Sequence, residues 1–273
     1  MKIGTTTFGF RYLLQDPLRA PPLSTVVERA RSCGLECLQI CENARPLELS
    51  AGEWKSLLST AAALGLEIQL GCKTLDPETL VRYMERAAMI PSGTVRIVIE
   101  EDGCPHPNRE TIAQFLDRSM PRLESFGMKL AIENHFDIPC RVLAEVAGAY
   151  PPARVGFCID AANSLRNFEP PERVFDLLGA RAVFYHLKDY RVRGTNVGFS
   201  VDGAPLGTGD LDLSGVLRQI IAIDPDPQVF IENWVPASGD READVEADRR
   251  WLEESLANLV KRLPARSQNV ITA

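Results

Sequence analysis

Eight short apolar runs rich in β-branched residues recur along the chain, and a helix-patterned segment follows each one. The runs are Lys2–Thr5, Cys37–Ile40, Glu67–Gly71, Val95–Ile99, Leu130–Glu133, Val155–Asp160, Ala182–Leu187 and Val229–Glu232. The segments between and after them are Leu23–Ser32, Gly52–Leu64, Pro77–Ala88, Glu110–Phe126, Cys140–Ala149, Pro171–Leu178, Leu213–Ile223 and Ala243–Lys261. Apolar residues in these segments return every three to four positions, which puts them on one face of a helix. Strands that are apolar on both faces belong to a parallel sheet, and regular alternation with helices requires crossover connections. Eight repeats favour closure into one (β/α)8 TIM barrel over an open sheet. Such barrels take roughly 250 residues, and this chain has 273 with no linker or compositional break. The expectation is therefore a single domain over 1–273, with 266–273 as a frayed tail. Asp76-Pro77-Glu78 reads as an N-cap with proline in the first turn. Gly65 and Gly127 stand where helix C-caps belong.

The net charge of −7 argues against nucleic acid as a partner, since such binders present a basic face. The seven cysteines are odd in number and form no CxxC pair, so they read as buried free thiols in a reducing compartment. The start MKIGTTTFGF has no apolar leader region, and no apolar stretch approaches the ~18 residues that a membrane span needs. A cytoplasmic protein without membrane contact is expected.

Four of the apolar runs end on a polar side chain: KLAIE on Glu133, VGFCID on Asp160, AVFYH on His186 and QVFIE on Glu232. The gaps between them are 27, 26 and 46 residues. Two gaps are one strand–helix unit each, and the third is one unit with an insertion. In a barrel, strand ends at the C-terminal rim form the active site. The plain reading of each residue is an ordinary strand-end polar group. Four at equivalent ends of four consecutive strands instead describe a site for one divalent ion. Carboxylates with a single imidazole suit Mn, Mg or Co, with Zn as the remaining choice. Glu133 and Glu232 would then flank a substrate and act as the acid/base pair.

The segments IENH (132–135), GFCIDAANS (156–164), YHLKD (185–189), GAPLGTGDLDL (203–213) and IENW (231–234) resemble the xylose isomerase-like, sugar phosphate isomerase/epimerase superfamily of TIM barrels. The resemblance is strong over about 130–235. It implies that Glu133, Asp160, His186 and Glu232 bind the ion and that the two glutamates exchange protons through an enediolate. It also implies a small carbohydrate or keto-polyol substrate, and dimers or tetramers in many members.

Further positions are assigned by their spacing. His135 lies two residues beyond Glu133, where it would orient a ligand carboxylate or touch substrate, with a plain surface loop position as the alternative. Lys188 shares the face of His186 by period two. Asn163 stands where ketohexose 3-epimerases of the superfamily carry histidine. Trp234 lies two residues past Glu232, where it would stack on a sugar. Arg191 and Arg193, in the insertion 189–209, are candidates for an anionic substrate group. Phe8 and Glu42, just past the first two strands, are weaker pocket candidates. The G-T-G of 207–209 is a weak signal for phosphate.

The leading expectation is a metal-dependent isomerase or epimerase. The alternative is a dehydratase resembling those for inosose or 3-dehydroshikimate, to which Lys188, the two arginines and Asn163 are suited. A non-catalytic barrel that only binds ligand ranks below both. The endonuclease IV branch is disfavoured by the chain's three histidines and acidic balance.

Overall fold

The computed structural model describes residues 1–100 and 106–263. The expected tail 266–273 and Cys104 lie outside the described residues. Ten strands are found among the described residues: β1 (Lys2–Thr6), β2 (Cys37–Ile40), β3 (Glu67–Lys73), β4 (Thr94–Val98), β5 (Lys129–Glu133), β6 (Val155–Asp160), β7 (Ala182–Leu187), β8 (Asp189–Thr195), β9 (Gly198–Ala204) and β10 (Gln228–Ile231). The helices are α1 (Arg11–Leu14), α2 (Leu23–Ser32), α3 (Ala51–Leu64), α4 (Pro77–Ala87), α5 (Arg109–Phe126), α6 (Cys140–Ala147), α7 (Pro171–Leu178), α8 (Leu213–Ile223) and α9 (Arg241–Arg262). Strands β1 to β7 and β10 close into a parallel barrel in chain order, as the alternation predicts. β8 and β9 form a separate antiparallel hairpin.

Local chemistry explains the helix ends. Asp76 accepts from the backbone N–H groups of Glu78 and Thr79 and begins α4, with Pro77 in its first turn. Gly65 and Gly127 take left-handed φ of 64° and 66° after α3 and α5, a conformation that costs glycine nothing. Ser50 and Glu53 make a reciprocal capping box at α3.

The insertion 189–209 folds as a hairpin followed by a tight turn. Its base is fixed by Asp189, which is fully buried. The Asp189 carboxylate accepts from the backbone N–H groups of Tyr190, Gly207, Gly209 and Leu211 at 2.8–3.1 Å. The anion held by the G-T-G turn is thus the chain's own aspartate. A β-carbon at Gly209 would stand 2.3 Å from Asp189 Oδ1, so the turn admits no side chain there.

The six described cysteines are free, and five of them are buried. Burial pushes their thiols upward; Cys140, which also bonds Ser164, is raised to about 12. They pack as small apolar groups.

Candidate active site

Register sets the depth of each rim residue. Asp160 of β6 pairs with His186 of β7, while Glu133 of β5 pairs with Cys158, two residues deeper. Phe230 of β10 pairs with His186, which leaves Glu232 two residues higher. A register shift near Phe157/Cys158 brings Asp160 and His186 level; such bulges often re-aim a side chain beside a site. All four side chains are buried, with exposures of 1% for Glu133, 0% for Asp160 and His186, and 6% for Glu232.

Each is held by specific partners. Glu133 Oε2 accepts from Arg96 Nε at 2.6 Å, and Glu133 Oε1 accepts from Asn163 Nδ2 at 2.9 Å. Asp160 Oδ1 accepts from the backbone N–H groups of Ala162 and Asn163. Asn134 clamps the Asp160 backbone from both sides. Glu232 Oε2 accepts from Thr6 Oγ1 at 2.7 Å. His186 Nε2 lies 3.0 Å from Gln39 Oε1 and donates to it in the tautomer we assign. Its Nδ1 then turns toward Glu133 Oε2 at 3.2 Å and Glu232 Oε2 at 3.7 Å.

Lys188 is 2% exposed and lies among these acids, with Nζ 2.8 Å from Asp160 Oδ2, 2.6 Å from Glu232 Oε1 and 4.0 Å from Glu133 Oε1. It also donates to Asn163 Oδ1 at 3.2 Å, and it lies 5.6 Å from the centre of the Trp234 ring. Burial opposes the charge on both glutamates. Their neighbours overturn that effect: Arg96 foremost, with the His186 ring and Lys188, holds Glu133 well below the usual carboxylate range, and Lys188, with the His186 ring, holds Glu232 at about 2. Burial likewise opposes the charge on Lys188, but Asp160, Glu232 and Glu133 raise it above an ordinary lysine.

The residues fit a hard divalent ion. Asp160, His186 and Glu232 each offer a donor atom, all within 4.8 Å of one another, and a second such set is Glu133, Cys158 and His186. Glu133 therefore joins the cluster through His186 rather than sharing one mutual set with Asp160 and Glu232. Buried His186 Nδ1 has no hydrogen-bond partner. Asp160 Oδ2 has no well-directed hydrogen bond either, although the Lys188 ammonium is close. Fixing the far nitrogen of a histidine, as Gln39 does, is a common support for a ligating imidazole.

The site floors a cavity of about 940 Å³, lined in part by Phe8, Glu42, Arg96, Lys188, Glu232 and Trp234. His135 and Asn163 also line it. His135 Nδ1 lies 2.8 Å from Glu100 Oε1. Arg191 and Arg193 do not line it. They lie exposed on β8, where Arg191 donates to the Thr208 carbonyl and Arg193 pairs with Asp202 at 3.3 Å. Both are taken up by partners within the hairpin and its turn, although Asp202 itself reaches the cavity wall. Among the site residues not singled out from the sequence are Arg96, Gln39 and Thr6. All three sit in β1, β2 or β4 as polar residues within apolar strands, a pattern that itself calls for a buried partner.

Residues 27–255 match the family model described as a xylose isomerase-like TIM barrel. The chain belongs to this family. It is 27% identical over 268 residues to the 3-oxo-isoapionate decarboxylase of Pectobacterium atrosepticum, covering 97% of both chains. A xylose isomerase-like TIM barrel protein from Mycobacterium smegmatis, solved in complex with magnesium, superposes with a TM-score of 0.68 at 14% identity, over 94% of this chain and 97% of that one. D-psicose 3-epimerase from Clostridium cellulolyticum H10, solved with D-tagatose, gives a TM-score of 0.70 at 11% identity, over 95% and 99%. These two structures share the barrel fold. No described helix is long and apolar enough to cross a membrane.

Proposed function

We propose that this chain is a divalent-metal-dependent lyase that decarboxylates a small 3-oxo sugar acid. One observation carries the reading: of the two glutamates, Glu232 lines the cavity, while Glu133 lies beneath it, pinned by Arg96 and Asn163. Epimerisation asks for two bases that both reach the substrate. Loss of CO2 from a 3-oxo acid asks for none. The bond between the carboxylate carbon and its neighbour breaks, the electron pair moves to the keto oxygen as an enolate, and a proton is returned to carbon. The full-length likeness to a decarboxylase supports the same choice.

Asp160, His186 and Glu232 would hold the ion, with Glu133 beside His186. A bound divalent cation supplies positive charge against the oxyanion that develops at the keto oxygen. Thr6 and Gln39 keep Glu232 and His186 oriented. Trp234 and Phe136, with ring centres 5.8 Å apart, wall the cavity against water. Lys188 is the protonated group beside Glu232, and it returns the proton to carbon.

A second reading, isomerisation or epimerisation of a ketose, is favoured by His186 lying between Glu133 and Glu232. The test is mass spectrometry in D2O with Mg or Mn. The panel holds a 3-oxo sugar acid labelled with 13C at the carboxylate, ketoses, inosose and 3-dehydroshikimate. Labelled CO2 from the acid is expected. Deuterium gained by an intact ketose, or water lost from a cyclic ketone, without any CO2 from the acid, would refute the decarboxylase reading.

A further inference from the structure

We infer that Arg96 is a substrate-binding residue and that its Nη2 group receives the carboxylate of the substrate. The substrate class rests on the decarboxylase reading above; the anion contact rests on the geometry of Arg96 itself.

Arg96 projects from the middle of β4 and is 2% exposed, yet it lines the active-site cavity. Its guanidinium is only partly used. Nε donates to Glu133 Oε2 at 2.6 Å. Nη1 reaches Glu42 Oε2 and the Cys72 carbonyl, both at a long 3.4 Å. Among the described residues, Nη2 has no partner. The cause is visible in Glu133. A free carboxylate would take Nε and Nη2 together as a fork, but its second oxygen is claimed by Asn163. Asn163 thus leaves one face of a fixed, buried cation without an anion.

Two neighbours preserve that arrangement. Gly71 has no side chain, and a β-carbon there would stand 3.2 Å from Arg96 Cδ, so the arginine runs across β3 in space the glycine leaves open. Glu42, at the cavity edge, already approaches Nη1 as a weak internal anion. A buried, permanently charged donor with an open face suits a planar carboxylate. A dianionic phosphate would face both Glu42 and Glu133, so a singly charged group fits better.

The test is calorimetric binding of L-threonate and of threitol to Mn2+-loaded protein, with Mn2+ affinity measured in parallel. The wild type is expected to prefer threonate, and Arg96→Lys to weaken threonate by about tenfold or more while leaving threitol alone. Arg96→Lys keeps a cation beside Glu133 and so limits damage to the fold. Glu42→Gln removes the competing anion at a partly exposed site and is expected to tighten threonate binding. Unchanged threonate affinity in Arg96→Lys overturns the assignment, as does the absence of any gain in Glu42→Gln. Joint loss of threonate, threitol and Mn2+ in Arg96→Lys also overturns it, because it would show that Arg96 acts only through Glu133. No turnover is needed. A wild type that binds threonate through Arg96 but releases no CO2 would sink the decarboxylase reading alone.

Discussion

Replacing Asp248 by asparagine should change how stability depends on pH, by an amount that follows from its surroundings. Asp248 lies on α9, is 5% exposed, and accepts one hydrogen bond, from the Tyr12 backbone N–H at 2.9 Å. Burial raises its carboxyl from 3.8 to about 7; Asp244 adds to this, while the Tyr12 N–H and Arg11 oppose it. The native state therefore holds this proton more tightly than the unfolded chain does. Stability contributed by the neutral acid is present below pH ~4, falls as pH rises through the window up to ~7, and is flat beyond. A shift of about 3 units at about 1.4 kcal/mol per unit gives a ceiling of about 4 kcal/mol. Asparagine is neutral at every pH and keeps an oxygen for Tyr12. Asp248→Asn should match wild type near pH 4 and exceed it at pH 8 by about 2–4 kcal/mol, read as urea midpoints by circular dichroism. The joint also matters for the site. Tyr12 donates from its hydroxyl to the Val235 carbonyl at 2.7 Å, and the neighbouring Phe8 and Arg11 line the cavity. Parallel pH profiles for the two proteins, or a less stable variant at pH 8, would refute the reasoning.

Glu232→Gln, which alters a donor to the ion, is expected to weaken Mn2+ binding by at least about tenfold and to lower kcat/KM with it, checked by titration and steady-state kinetics. Lys188→Met should abolish turnover while Mn2+ binding persists, because the ion's donors all remain; calorimetry with Mn2+ decides it. Gly209→Ala should lower the melting temperature, since its methyl would meet both the Asp189 carboxylate and the Tyr190 carbonyl at 2.3 Å. Exhaustive chelation should abolish activity, and added Mn2+ or Mg2+ should restore it.

The barrel was legible because its signal is local. Each strand is a short apolar run with turn or cap residues on either side, and helix starts such as Asp76-Pro77 carry their own chemistry. Glu133, Asp160, His186 and Glu232 were legible for the same reason: each ends a run, and the C-terminal ends of barrel strands share one rim. What the sequence hid was pairing across the barrel. Arg96 and Glu133 are 37 residues apart, and Gln39 and His186 are 147 apart. No spacing rule connects them, yet each interrupts an apolar strand and so demands a distant partner. The insertion 189–209 was legible as an extra segment but not in its conformation. Only the fold shows that its turn closes on Asp189 and that Arg191 and Arg193 find their partners in Thr208 and Asp202.

Charge at the cavity floor ties these observations together. Glu42, Glu133, Asp160 and Glu232 bring four negative charges, while Arg96 and Lys188 return two positive ones. Buried charge without compensation is costly. The excess of two negative charges is what one divalent ion would cancel, and a monovalent ion would leave one acid uncompensated. With that ion in place the floor is neutral overall but not uniform: Lys188 is spent on Asp160 and Glu232, whereas Arg96 keeps an open face. An anionic substrate entering such a site gains most by turning its carboxylate toward Arg96. Removing the charge of Glu42 would tip the floor to a net positive charge and deepen that preference, so Glu42→Gln tests the electrostatic account as well as the contact.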